Sequence, residues 1–504
     1  MRLKSIVILM DCYPNARPSL PSSTASIKWW SDLPADIARY RTLALALFLS
    51  LSAHAAWGGP QAAVDRYLQS EMRRQNIPGM SLAVLKNGKP LYIKSYGVAT
   101  LEHDVPARPQ TVYQIGSIGK QFTAVAVMML ANEHKLDIDD PLSKYLPEVP
   151  ASWDKVTLRI IMNHQSGIPQ FTTPGQQRLD LVHEYSDQEL IQLASQPLDF
   201  EPGTDVSYSD TGYVLLGFVI NRVAGMFYGD FLQQRVFAPL GMTRTRIISE
   251  ADLVRDRASG YEKGDHGDLH NQSYVSAALN RTADGSLYST VLDLTKWDRA
   301  LYGDTVLPRA QLERMWRIDP YRNGQQPLYH YGYGWENNRL RDHRLIEYDG
   351  NWQGFQAVMS RYVDKKLTVI LLTNLALCRT ERLSHTVAGL IDPDLQAYPE
   401  GIPDTQAGKT EEFRAFLAKV RNGGSDLEPL SAGARQRLAP AVINTLRRDL
   451  RERGPILTLT VAQERGSVPA RRVYRVEEKD MVEFYTVRYT QESQIDDIDL
   501  FSEY

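Results

Sequence analysis

Apolar and polar positions alternate along this chain in blocks that predict its elements. Ser81-Leu82-Ala83-Val84-Leu85 and Pro90-Leu91-Tyr92-Ile93-Lys94 are apolar-rich runs on either side of Asn87-Gly88. An Asn-Gly pair between two such runs predicts a tight hairpin, because both turn residues must adopt positive φ. Far downstream, 355–360 and 367–372 flank Asp364-Lys365-Lys366 and predict a second hairpin. Most of the sequence between these hairpins reads as helix or loop. Gln121 to Leu130 is apolar nearly all round, which predicts a helix lying inside a core. A second apolar helix begins near Thr211. The blocks predict an α+β class: an antiparallel sheet flanked by helices, built from both ends of a domain, with a helical region inserted in the middle.

The character changes after Pro393. Residues 394–410 are rich in Pro, Gly and polar residues and read as a linker. Glu411 to Val420 and Ala432 to Arg453 have helical patterns, and Ile456–Ala462, Arg472–Glu477, Met481–Tyr489 and Ile495–Phe501 read as strands. The expectation is a small C-terminal α+β domain over 411–504, large enough to fold by itself. It carries no catalytic constellation, and reads as a structural, dimerising or lid-supporting module or as a ligand-binding one.

The N-terminus reads as an export signal. Arg39 and Arg41 precede the apolar run Leu43 to Leu51, and Ala53-His54-Ala55 places small residues where a signal peptidase needs them. The run is too short for a permanent membrane span. Residues 1–38 are an overlong n-region or follow a start codon assigned too early. Residues 1–55 are thus expected to be leader and signal peptide, 56–393 the main domain, and the mature protein periplasmic or secreted from a bacterium.

Composition narrows the function. The 504 residues carry a net charge of −3, with 57 Lys and Arg against 60 Asp and Glu. With no basic block or arginine stripe, nucleic acid is not an expected partner. The two cysteines, Cys12 and Cys378, form no C-x-x-C pair. Asp265-His266-Gly267-Asp268-Leu269-His270 has metal-friendly residue types but not the H-E-x-x-H spacing, and reads as a solvated loop. No metal and no cofactor is expected. Oligomeric state is left open.

The chemistry concentrates at Ser117-Ile118-Gly119-Lys120, at the start of the apolar helix. Positions i and i+3 share a helix face, with Cβ atoms about 5–6 Å apart. Desolvation disfavours a charged lysine, and such an amine can take the proton of a neighbouring hydroxyl. A helix N-terminus also favours negative charge developing at the serine. Two companions follow, Tyr208-Ser209-Asp210 and Tyr348-Asp349-Gly350. No G-x-S-x-G elbow occurs, which disfavours an α/β-hydrolase.

Together these segments resemble the three-motif signature of serine β-lactamases and penicillin-binding proteins. The tyrosine in the second motif is similar to the branch holding class C β-lactamases, DD-peptidases, esterases and D-aminopeptidases. Asn163-His164-Gln165-Ser166-Gly167-Ile168, Phe237 to Met242, Gly285 to Thr290 with Asp293-Leu294 and Trp297, and Glu201-Pro202-Gly203 resemble further segments of this family. The likeness runs from about Ala62 to about Leu390. It implies a β-lactamase/transpeptidase-like fold and an acyl-enzyme mechanism on a small-molecule or peptide substrate. Ser117 would be the nucleophile and Lys120 its base partner. Tyr208, pushed toward phenolate by neighbouring cations, would shuttle protons. The N–H of Asn351 would join that of Ser117 as an oxyanion hole, with Gly350 keeping the backbone open. Asp210 and Tyr348 would stand at substrate-binding positions. His164 reads as a structural cap at a helix end.

Two positions depart from the family's pattern. Asp210 stands where asparagine is usual, and an ionised carboxylate cannot donate to an acyl carbonyl. Tyr348 replaces a lysine or histidine that helps hold a substrate carboxylate; Arg344 is a candidate substitute. These changes favour an ester or small amide without an essential carboxylate. A DD-peptidase or β-lactamase remains the alternative within the same chemistry. From another class, a sensor that is acylated without turnover, or an inactive binding module, stays open.

Overall fold

The computed structural model describes residues 59–499, apart from 174–175, 178, 248–251, 265–266, 328–329, 341–342, 397–400, 425–426, 438–442, 444–445, 448–449, 452–454, 466–470 and 479–480. The export reading of residues 1–55, Cys12 included, lies outside the described residues. Helix α1 (Pro60–Gln75) leads into strands β1 (Gly79–Lys86) and β2 (Lys89–Thr100). They pair antiparallel around Asn87 and Gly88, whose φ values of 54° and 68° are those a tight hairpin turn requires. After the short β3 (Val105–Pro106) come helices α2 (Gly119–Asn132), α3 (Asp210–Ala224) and α4 (Val291–Ala300). Strands β4 (Glu336–Leu340), β5 (His343–Trp352), β6 (Phe355–Tyr362) and β7 (Leu367–Thr373) then precede helix α5 (Thr380–Ile391).

These strands form one seven-stranded antiparallel sheet, ordered β4-β5-β6-β7-β1-β2-β3. The β6–β7 pair is the second expected hairpin, with Tyr362 opposite Leu367. Strand β1 pairs with β7 from Met80↔Thr373 to Lys86↔Leu367, so the two hairpins, far apart in sequence, are joined edge to edge. Side chains alternate between two cores. Met80, Leu82 and Val84 of β1 meet α1 and α5 residues such as Leu68 and Leu383. Ala83 and Leu85 face the larger core of α2, α3 and α4, with Phe122, Leu215 and Trp297. Helices on both faces explain why the central strands read as continuous apolar runs rather than alternating ones.

Helix α6 (Ala407–Arg421) begins at Ala407 rather than at Glu411, and Thr410 in its first turn is buried. Strands β8 (Thr458–Arg465), β9 (Arg471–Glu478), β10 (Met481–Tyr489) and β11 (Ile495–Asp499) form a second antiparallel sheet in chain order. Phe413, Phe416, Tyr474 and Tyr485 share its core with α6. Among the described residues no single helix is long and apolar enough to cross a membrane.

Candidate active site

Ser117 sits in a single 3-10 turn, Gly116–Ile118, that runs straight into α2. The turn is pressed against the end of β5. Gly116 has a φ of +52°, and a Cβ on it would fall 2.7 Å from the Asn351 nitrogen. A Cβ on Gly350 would fall 2.0 Å from the Ile115 carbonyl oxygen and 2.9 Å from the Ser117 nitrogen. Any side chain at either position would force the two backbones apart. Glycine at 350 therefore brings the main chains of Ser117 and Asn351 together, as an oxyanion hole requires.

Three side chains meet here. Ser117 Oγ lies 2.6 Å from the Tyr208 hydroxyl, and Lys120 Nζ donates to Ser117 Oγ at 3.0 Å. Lys120 is 0% exposed. Its Nζ also donates to Asp210 Oδ1 at 2.6 Å and to the Asp284 carbonyl at 2.7 Å. Three acceptors thus match the three N–H groups of an ammonium. Asp210 Oδ2 accepts from Gln170 Nε2 at 3.2 Å, so both its oxygens are occupied. Burial pushes the Asp210 carboxyl up, but Lys120, Tyr208 and Gln170 outweigh it and hold the group below the usual range.

Tyr208 corrects one expectation. Burial, and then the Asp210 carboxylate, raise its phenol well above the ordinary value. Lys120 Nζ does lie over the ring, 4.9 Å from its centroid, but the carboxylate that neutralises Lys120 also faces the phenol. The resting group is a neutral phenol, not a phenolate. Its loop is held by His164, whose Nδ1 accepts from the Ser209 N–H at 3.1 Å and whose ring packs against Tyr208, tilted by 34° with centroids 4.6 Å apart. Burial, then Lys120, drop the His164 pKa to about 3, so the imidazole is a neutral prop.

Tyr348 is the second correction. It does not reach the cleft: it is 2% exposed, with its hydroxyl 3.4 Å from His164 Nε2. It stands behind His164 rather than beside a substrate. Arg344 does not replace the missing cation either; it pairs with Glu313 at 3.2 Å. Asp210 does line the cleft, but its contacts serve Lys120 and Gln170. Of the metal-friendly segment, residues 265–266 lie outside the described residues, and Asp268, Leu269 and His270 lie at or in the strand Leu269–Asn271 that pairs with Tyr261–Lys263. No metal-holding group occurs among the described residues.

The cleft beside Ser117 encloses about 630 Å³. One wall is apolar, with Phe171, Leu181, Trp352 and Leu377; Asp210, Glu262, Lys263 and Asp284 bring charge. Two supporting glutamines have no signal in the sequence. Gln170 clamps the Asp210 amide and carboxylate, and Gln356 accepts from Asn351 Nδ2 at 2.7 Å while donating to Asp349 at 3.0 Å. Glutamines have no motif value by themselves. Only the antiparallel pairing of Asn351 with Gln356 across β5 and β6 reveals the second.

The Beta-lactamase family matches residues 64–423. Penicillin-binding protein 4* of Bacillus subtilis (strain 168) is 31% identical over 304 residues, covering 57% of this chain and 66% of its own length. Protein flp of Staphylococcus aureus (strain N315) is 25% identical over 319 residues, 62% of this chain and 63% of its own. The chain therefore spans 63–66% of the length of these curated relatives. The octameric penicillin-binding protein homologue from Pyrococcus abyssi superposes with a TM-score of 0.59 at 23% identity, over 85% of this chain and 90% of that one. The D-amino acid amidase from Ochrobactrum anthropi SV3, complexed with D-phenylalanine, gives 0.58 at 25% identity, over 67% and 98%.

Proposed function

Because the chain belongs to the Beta-lactamase family of serine hydrolases, we propose that it is an exported hydrolase that cleaves an ester or small amide through an acyl-enzyme on Ser117. The observation that carries this reading is the Ser117 hydroxyl held between the Tyr208 phenol and the buried Lys120 amine. Export rests on residues 39–55 alone. The substrate carbonyl oxygen enters between the Ser117 and Asn351 amides. Ser117 Oγ attacks as its proton passes to Tyr208 Oη, while the phenol gives its own proton to the leaving group. A neutral phenol suits this relay because it accepts and donates in one step. Lys120 anchors Oγ and offsets the charge that develops around it.

A substrate without an essential carboxylate is supported by the cleft's charge, since Asp210, Glu262 and Asp284 outnumber Lys263 there and Tyr348 brings no cation. The D-amino acid amidase among the structural neighbours supports a small amide. The second reading, a DD-peptidase or β-lactamase, is supported by the likeness to penicillin-binding protein 4*. A panel of p-nitrophenyl esters, D-amino acid amides, a D-alanyl dipeptide and a chromogenic cephalosporin separates them. The expected result is ester or amide turnover and a fluorophosphonate adduct on the Ser117 peptide, both lost in Ser117→Ala. Adduct without product release would make the protein an acylated sensor. No adduct under any condition would end the hydrolase reading.

A further inference from the structure

Three carboxylates line the cleft, and they differ in what their oxygens touch. Asp210 is saturated by Lys120 and Gln170. Glu262 accepts from the Ser273 hydroxyl at 2.9 Å on an exposed hairpin. Asp284 is different: it is 8% exposed, lines the cleft together with Ser117, and its Oδ1 is buried with no hydrogen-bond partner among the described residues. A buried carboxylate oxygen without a donor costs about 1–3 kcal/mol or more. Such a group in a cleft is therefore a candidate for chemistry.

Its placement is fixed by the nucleophile's own scaffold. The carbonyls of residues 282, 283 and 284 are held in turn by the Tyr228 hydroxyl, the Thr123 hydroxyl and Lys120 Nζ, each at 2.7 Å. The next residue, Gly285, packs on the Ser117 turn, where a Cβ on it would lie 3.3 Å from the Gly116 carbonyl carbon. Asp284 is thus locked to the lysine that holds Ser117 Oγ.

We propose that Asp284 is a further catalytic residue, the general base that orients and deprotonates the water that hydrolyses the Ser117 acyl-enzyme. The assignment rests on the acyl-enzyme reading above. The water gives its proton to Asp284 as its oxygen bonds to the acyl carbon. The bond from that carbon to Ser117 Oγ then breaks, and Oγ takes a proton from Tyr208. The proton on Asp284 returns to Tyr208 through cleft water, leaving the free acid and the resting serine. Tyr208 alone is a weak acceptor for a water proton, since burial and Asp210 keep it a neutral phenol. Burial, and then Asp210, raise the Asp284 carboxyl to about 6, against the lowering effect of Lys120, so it is largely ionised at neutral pH and well matched to accept a proton. A side-chain hydrogen bond from Thr282 also lowers it, Tyr228 lies behind its loop, and Glu262 and Lys263 line the same cleft.

Asp284→Asn tests this while keeping the main-chain carbonyl that Lys120 needs. With a p-nitrophenyl ester, the variant should retain a one-equivalent burst of nitrophenol. Its steady rate should then fall on the order of 100-fold. The acyl-Ser117 peptide should accumulate by mass spectrometry, and hydroxylamine, which needs no base, should release it. A steady rate within about threefold of the parent, or burst and steady rate falling together, would overturn the proposal. The parent enzyme supplies a second readout that needs no variant. Its deacylation rate should drop as pH falls through about 6 while the burst does not, and a flat profile down to pH 5 would also overturn it. A parent that gives neither burst nor adduct would instead overturn the acyl-enzyme reading, and this proposal with it.

Discussion

Strand β5 separates two ways of burying carboxylates. Its even positions face the catalytic core: Ile346 packs there, and Tyr348 supports His164. Its odd positions face α5: Leu345 packs in the second core, and Glu347 accepts from His385 Nε2 at 2.8 Å. On the catalytic side Asp210 has a lysine at 2.6 Å and stays ionised, whereas Asp284, raised to about 6 by burial and then Asp210, behaves like the far-side groups. On the far side Glu336, Glu347, Asp349 and Glu381 act on one another, with His385 against Glu347. Burial and then Glu347 raise Glu336 to about 7 and Asp349 to about 6; burial and then Asp349 raise Glu381 to about 8. Glu347 goes the other way, because His385, Asn338 and Ser360 outweigh its burial. One residue type thus serves as a fixed charge where a cation is paired one to one, and as a proton reservoir where it is not.

The largest expected effect breaks the paired side. Lys120→Met leaves Asp210 without its cation and Ser117 without its anchor. Ester turnover should fall on the order of 1,000-fold or more. Stability should fall by about 2–3 kcal/mol, less than for a fully dry pair because the Asp210 side chain is 35% exposed. Adding Asp210→Asn should recover most of that stability in a urea titration and none of the turnover. If the double variant stays as unstable as the single one, the pair does not govern this side of the strand.

A smaller effect belongs to the unpaired side. Carboxyl groups raised in the folded state bind more protons there than in the unfolded chain. Their stabilising contribution is present below about pH 4.5 and is lost as pH rises through about 6 to 8. Thermal melts should therefore show a lower Tm at pH 8 than at pH 6, by ~1–2 °C. Glu381→Gln removes the group with the highest of these values and should flatten that slope. An unchanged slope would mean that the acidic cluster is solvated rather than buried.

The two sides of β5 were not equally legible. Ser117, Lys120 and Tyr208 could be read because an i, i+3 pair on an apolar helix and a tyrosine before a second apolar helix are local patterns with a chemical meaning. Both hairpins could be read because turn residues and apolar runs are also local. The acidic cluster could not: Glu336, Glu347 and Glu381 come from three elements, and only pairing across β4 and β5 and the docking of α5 bring them together. The phenol's protonation state was misread for the same reason. Lysine was visible as a neighbour of Tyr208, but the Asp210 carboxylate that neutralises it could be weighed only with distances.

Tyr348 is the position where pattern and structure disagree most, and its test carries the smallest expected effect. By motif it should touch substrate; by structure its hydroxyl makes one long contact, 3.4 Å, with the imidazole behind Tyr208. Tyr348→Phe keeps the ring in the core and removes only that contact. A buried hydrogen bond of this length contributes at most about 1 kcal/mol. The KM for a p-nitrophenyl ester should therefore not change, and kcat should fall about threefold or less, through a slightly freer His164 and Tyr208 loop. A tenfold rise in KM at unchanged kcat would mean that the hydroxyl binds substrate, and would return residue 348 to the role that its motif position suggests. Because Tyr348 meets the cleft residues only through His164, the split between KM and kcat decides whether this position binds substrate or supports the residues that do.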